Sequence, residues 1–191
     1  MSERQPPPRY LPARALPAHA YVPGHSPTPR PAAERDPSAA LPGSPGSPES
    51  PGLDDDVPES WRRHPVYLWG LDLYNHGYPW EAHEAWESLW VHAPRGSVAR
   101  DMLQALIQCA AAVVHARAGR AAGRARLAGR ALGRLAAVRA RAGSRCLGID
   151  IDELARAVRA YSHSDRAEGW PLIALAPEAS LPEPARGAGG V

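Results

Sequence analysis

From Pro58 to about Ser162 the apolar residues recur at three- and four-residue intervals, with polar or charged residues filling the positions between them. This spacing predicts helices, and the punctuation between the periodic stretches divides them into five. Ser60 is placed to cap a first helix that runs through Tyr67 to Tyr74 and closes at Gly77. Pro79 suits the first turn of a second helix, which stops near Ala93-Pro94-Arg95-Gly96. Ser97 caps a third, with Leu103, Leu106, Ile107, Ala110, Val113 and Val114 on one face. A fourth spans about Arg120 to Ala142, with Ala121, Ala128, Ala131, Leu132, Leu135 and Val138 inward and Arg126, Arg130, Arg134 and Arg141 outward. Gly148-Ile149-Asp150 interrupts the pattern, and Asp150 or Asp152 caps a fifth helix from Glu153 to Ser162. The fold class is all-α, a compact bundle of about five helices.

The flanks read differently. Residues 1–59 hold 15 of the 22 prolines, and Leu41 to Pro48 is turn and linker material that buries too little apolar surface to offset its ordering entropy. This divides the chain into a proline-rich arm (1–59), a helical domain (60–164) and an irregular tail (165–191). Within the arm, Arg9 to His25 carries Tyr, Leu and Val between prolines and suits an extended path along the domain surface; most of the rest is expected to be mobile. In the tail, the apolar run Trp170 to Ala176 suits a short docked segment.

Two helices carry polar stripes. At roughly 100° per residue, Trp80, His83, Glu84, Glu87, Trp90 and Val91 of the second helix fall within an arc of about 120°, opposite Ala82, Ala85 and Leu89. Tryptophans on that arc argue against a purely solvated face, and His83 with Glu87 argues against a purely apolar one. The third helix bears a narrower stripe of Asp101, Gln104, Gln108, Ala111 and His115. Short connections make these two helices antiparallel neighbours, so their stripes can face each other, with Asp72, Asn75 and His76 closing the end of the space.

Net charge is only +2, which gives no global case for nucleic acid or an anionic membrane. Every basic residue is an arginine, a mark of compositional bias. Cys109 and Cys146 lack CxxC spacing, so no thiolate metal site or disulfide framework is indicated, and Cys109 reads as a small core residue. No apolar run reaches membrane-spanning length and no signal-peptide pattern opens the chain, so a soluble, cytoplasmic protein is expected, with a homo-oligomer compatible.

Leu73-Tyr74-Asn75-His76-Gly77, then Trp80-Glu81-Ala82-His83-Glu84 and Trp86-Glu87-Ser88-Leu89-Trp90, then Gln104-Ala105-Leu106-Ile107-Gln108-Cys109-Ala110-Ala111 and His115 together resemble domain-of-unknown-function family 309. The resemblance spans about Trp61 to Tyr161. Ala105 departs from a pattern that often has glycine there. What the resemblance implies is a compact all-helical bundle; some members carry metal-dependent hydrolase labels, and the family name records no established activity.

Several readings of the stripes stay open. His83 and Glu87, at i and i+4, can reach one divalent metal, with His115 completing the set and Glu84 acting as general base for metal-assisted hydrolysis. HEAWE is not the HExxH of zinc proteases, so mixed nitrogen and oxygen ligation suits metals other than zinc equally well. Alternatively, His83, Glu87, Asn75 and Gln108 form a structural hydrogen-bond network. A third reading is a pocket for a small polar or cationic molecule, with Trp80, Trp86 and Trp90 as aromatic walls and Asp72, Asn75, Gln104 and Gln108 as polar lining. Finally, residues 102–149 contain nine arginines and no acid, a local basic surface. A solvated face is favoured there over a nucleic-acid or protein interface, since no aromatic interleaving or known motif accompanies it.

Overall fold

Pro65 decides where the helical domain begins. Its ring fixes φ and it lacks an N–H, so a helix can start at it but cannot run through it. In the computed structural model, which describes residues 5–23, 60–164 and 166–176, Ser60–Arg63 is accordingly a separate 3-10 turn and α1 spans Pro65–Asn75. His64, not Ser60, is the cap, its side chain accepting from the Tyr67 N–H. The remaining helices follow the sequence pattern closely: α2 is Pro79–Trp90, α3 Val98–Arg117, α4 Ala121–Ala142 and α5 Ile151–Ser162. Ser97 caps α3 by accepting from Arg100 N–H at 3.1 Å, and Asp150 caps α5 by accepting from Glu153 N–H at 2.8 Å.

Each helix packs on the next along the chain, and α3 lies between α2 and α4. The result is a five-helix bundle whose core includes Tyr67, Leu71, Tyr74, Trp86, Met102, Leu103, Leu106 and Leu135, all with almost no exposed surface. At roughly 1.5–3 kcal/mol for each large apolar side chain buried, this cluster is the main source of stability. Gly70 explains how α1 and α2 approach so closely: a Cβ there would overlap the Trp86 indole, which sits on the glycine and directs its N–H to the Tyr67 carbonyl at 3.4 Å.

A feature the sequence pattern does not reveal is a small hairpin between α4 and α5. Strands β1 (Arg145–Cys146) and β2 (Ile149–Asp150) pair antiparallel, with Arg145 opposite Asp150 and Cys146 opposite Ile149. Leu147 and Gly148, both at positive φ (48° and 76°), make the two-residue turn, a geometry suited to the twist of short hairpins. Its loop is tied to α1, because the Tyr67 hydroxyl donates to the Leu147 carbonyl at 2.7 Å.

Both flanking segments bind the bundle through backbone groups. The carboxylate of Asp72 accepts from Tyr10 N–H at 2.8 Å and Leu11 N–H at 2.9 Å. Farther along, Glu81 accepts from Tyr21 N–H at 2.9 Å. Arg9 and Arg14 lie over the Trp69 ring, with Arg9 also donating to the Leu11 and Arg14 carbonyls. On the tail side, Ile149 bridges to Leu175, Ala176 N–H donates to the Gly148 carbonyl, and Trp170 Nε1–H donates to the Tyr74 carbonyl. The two segments also meet, since Leu175 N–H donates to the Tyr10 hydroxyl at 2.9 Å. Leu41 to Pro48 and His25 lie outside the described residues.

Candidate functional site

The core face of α2 is Ala82, Trp86 and Leu89, so the arc of Trp80, His83, Glu84, Glu87 and Trp90 flanks the bundle instead of entering it. Along α3, Ala111, Val114, His115 and Ala118 stand at i, i+3, i+4 and i+7 and form one strip beside Trp80 and His83. The two alanines leave space, and a pocket of about 410 Å³ opens there. Arg120, Arg126 and Leu127 from the start of α4 and Tyr21 and Pro23 of the arm complete its lining.

Aromatic rings build the α2 side. Tyr21 meets Trp80 edge-on, with centroids 4.9 Å apart, and the His83 imidazole stacks on Trp80 at 5.8 Å and 15°. His83 Nδ1 stands 3.8 Å from Glu87 Oε2, too far for a hydrogen bond, and Glu87 is itself exposed. On the opposite side His115 Nδ1 is buried and has no hydrogen-bond partner among the described residues. It rests against Gly123, where a Cβ would overlap the ring. Burial, and then the Arg120 and Arg126 charges, hold the His115 pKa below its ordinary value.

The other residues singled out by sequence lie elsewhere. Asp72 is occupied by the arm amides and Asn75 by the tail, where its side-chain amide donates to the Ile173 carbonyl and accepts from Ile173 N–H, both at 2.8 Å. Glu84, Gln104 and Gln108 are half-buried on their helices but do not line the pocket. Trp90 is covered by Arg100, whose guanidinium lies 4.1 Å from the ring centroid and donates to the Trp90 and Ala93 carbonyls at 2.5 and 2.7 Å. Trp86 is core, and so forms no wall. Of the residues on the two stripes, the pocket brings together Trp80 and His83 of α2 with Ala111 and His115 of α3. Arg120, Arg126 and Tyr21 were missed; the position of Arg120 beside the α3–α4 turn, five residues after His115, was the available signal.

Among the described residues no three of His, Cys, Asp and Glu gather closely enough to hold a metal ion, and the His83–Glu87 pair supplies at most two ligands. The basic surface of α4 is also largely committed. Arg134 and Arg141 donate to the two oxygens of Asp101, each at 2.8 Å, and Arg139 pairs with Asp152 at 3.0 Å. Arg124 turns inward to the Arg166 carbonyl.

Residues 67–127 match the family model of the domain of unknown function DUF309. A comparison with the curated proteins returned no match. The DUF309 segment runs from within α1 to Leu127, shorter at both ends than the Trp61 to Tyr161 span of the motif resemblance. It contains every helical residue of the pocket, whereas Tyr21 and Pro23 fall outside it. No helix among the described residues is long and apolar enough to cross a membrane.

Proposed function

We propose that this protein is a small-molecule-binding module whose site is the pocket between α2, α3, α4 and the arm. The observation that carries this reading is a cavity of about 410 Å³ in which aromatic walls, two imidazoles and two guanidiniums converge. Such a volume is within the range of ligand pockets and far above the roughly 30 Å³ of one water. The pocket also combines the two properties of a binding site: apolar surface to exclude water, and a few polar atoms to orient a guest. His115 Nδ1 and His83 Nδ1 lack hydrogen-bond partners among the described residues, so a guest that supplies partners to them would gain those interactions on binding.

Metal-dependent hydrolysis with Glu84 as base is the competing proposal. Its support is the adjacency of His83 and Glu87, and elemental analysis of untagged protein tests it: one equivalent of bound metal would favour it. For the binding reading, a thermal-shift screen of small aromatic acids, amines and neutral compounds against the full chain is the direct test. At least one compound should raise the melting temperature, and Ala111→Phe, which fills the pocket from α3, should abolish the rise. A screen in which nothing stabilises the protein, or in which Ala111→Phe responds like the parent, would sink it.

A further inference from the structure

Charge is unevenly distributed around the pocket. At one end Tyr21, Trp80 and His83 present ring surface; at the other, Arg120 and Arg126 flank His115. Neither guanidinium has an ion-pair or hydrogen-bond partner among the described residues, in contrast to Arg134, Arg139 and Arg141 on the same helix, which are tied to aspartates. Among the described residues no aspartate or glutamate lines the cavity. Two acidic groups touch lining residues, Glu81 accepting from Tyr21 N–H at 2.9 Å and Glu87 standing 3.8 Å from His83, and both adjoin the aromatic residues, so the cavity is polarised with its positive side at α4. Both Arg120 and Arg126 are exposed at the cavity; arginine offers a planar fork of donors matched to a carboxylate, and two of them side by side favour an anion over its neutral isostere.

We infer that the ligand is an organic anion with a flat ring, its carboxylate held by Arg120 and Arg126 and its ring set against Tyr21, Trp80 and His83. This rests on the binding reading above and narrows it in a specific way. Aromatic cages without an acidic partner can hold cations, but two uncompensated arginines at the same cavity oppose one. Inorganic anions alone would use only the α4 end and leave the ring surface uncovered. His115 contributes to the preference as well: the same positive field that disfavours its protonation stabilises a bound carboxylate.

A matched set of probes tests the inference by isothermal titration of the full chain: 1-naphthoate, 1-naphthamide, 1-naphthylmethylamine and inorganic phosphate. The naphthoate should bind at least about tenfold more tightly than the amide, with the amine and phosphate weaker still. In the double variant Arg120→Gln, Arg126→Gln the ratio of naphthoate to amide affinity should fall from at least about tenfold to about one; Arg120→Lys, Arg126→Lys should restore part of the difference. Equal binding of amide and acid, preference for the amine, or indifference of the acid to the glutamine variant would overturn the anion assignment and leave the pocket reading intact. Phosphate binding as tight as naphthoate would overturn the ring. Absence of binding by all four probes to the folded parent would overturn this inference, while the thermal-shift screen and Ala111→Phe decide the reading beneath it.

Discussion

The side chain of Asn75 pairs with Ile173 as one strand pairs with another, donating to its carbonyl and accepting from its N–H at 2.8 Å each. Ninety-eight residues separate them, and Asn75 is 4% exposed. A primary amide can satisfy both backbone groups at once because it carries a donor and an acceptor side by side. Asn75→Ala leaves both groups of Ile173 without a partner in a buried setting, and should cost about 2–3 kcal/mol in urea unfolding. Asn75→Asp retains the acceptor but loses the donor and should also destabilise. A variant as stable as the parent would mean that the tail contributes nothing to the fold.

Asp72 gives the corresponding test for the arm. Its carboxylate is almost fully buried and accepts the amides of Tyr10 and Leu11, with Arg9 Nε at 3.7 Å. Asp72→Ala should release residues 5–23 without unfolding the helices. Trypsin should then cut at Arg9 and Arg14 at least about tenfold faster than in the parent, since cleavage follows the population of the opened state and each 1.4 kcal/mol changes it tenfold. Far-ultraviolet circular dichroism should be unchanged. Equal cleavage rates would show that Asp72 does not hold the arm.

These two residues also show what was legible in the sequence and what was not. The cap at Ser97 could be read directly and that at Asp150 narrowed to two aspartates, because capping links a side chain to an amide three residues away. Helical periodicity likewise located α2 to α5 to within a few residues. Asp72, Asn75 and Glu81, by contrast, bind backbone amides and carbonyls some 60 to 98 residues distant, and a backbone group carries no sequence signature. The polar arc of α2 has the composition of neither core nor solvent face, and it flanks the bundle because Ala82, Trp86 and Leu89 make the core contact. Its Trp80 and His83 meet a wall from the arm, whose extended path leaves no periodic pattern to read. Arg134 and Arg141 converge on Asp101 across 33 and 40 residues, a pairing that the outward reading of α4 does not show.

Glycines in α4 separate into two kinds. A Cβ on Gly123 would overlap His115, whereas Gly129 and Gly133 are exposed and have nothing within 4 Å of an added Cβ. Close packing thus accounts for Gly123 only; nothing in the structure explains the other two. Replacing Gly129 and Gly133 by alanine should stabilise the protein by about 0.5–1 kcal/mol each, through helix propensity alone. Gly123→Ala should instead destabilise by about 1–3 kcal/mol through overpacking. Chemical denaturation of the three variants would check the signs, and a stabilising Gly123→Ala would contradict the packing described for His115.

Cys109 and Cys146 should differ sharply in reactivity. Cys109 is buried in α3, and burial pushes its pKa up to about 12; Cys146 lies half-buried in the hairpin. At pH 8 a thiol with that pKa is ionised in only about one molecule in ten thousand, and the thiolate is the nucleophile. Brief iodoacetamide treatment of the native protein should therefore modify one thiol per chain, and treatment in denaturant should modify two. Mass spectrometry would locate the native adduct at Cys146. Rapid native labelling of Cys109 would show that α3 opens far more readily than its burial implies.

His115 should give acid instability that one substitution removes. Burial, Arg120 and Arg126 lower its folded-state pKa, whereas in the unfolded chain the imidazole titrates near 6.5. Between those two values the unfolded chain binds a proton that the folded chain resists, so folding stability from this group is greatest above about pH 6.5 and declines as the pH falls toward the lowered folded-state value. The charged and titratable groups around it are Arg120 and Arg126 from the start of α4 and His83 across the pocket. His115→Asn keeps a polar group of similar reach and does not titrate. Its melting temperature should therefore drop less between pH 7 and pH 5 than that of the parent. Parallel slopes for the two proteins would mean that His115 is as easily protonated folded as unfolded, and that the positive field assigned to the α4 end of the pocket is not felt there.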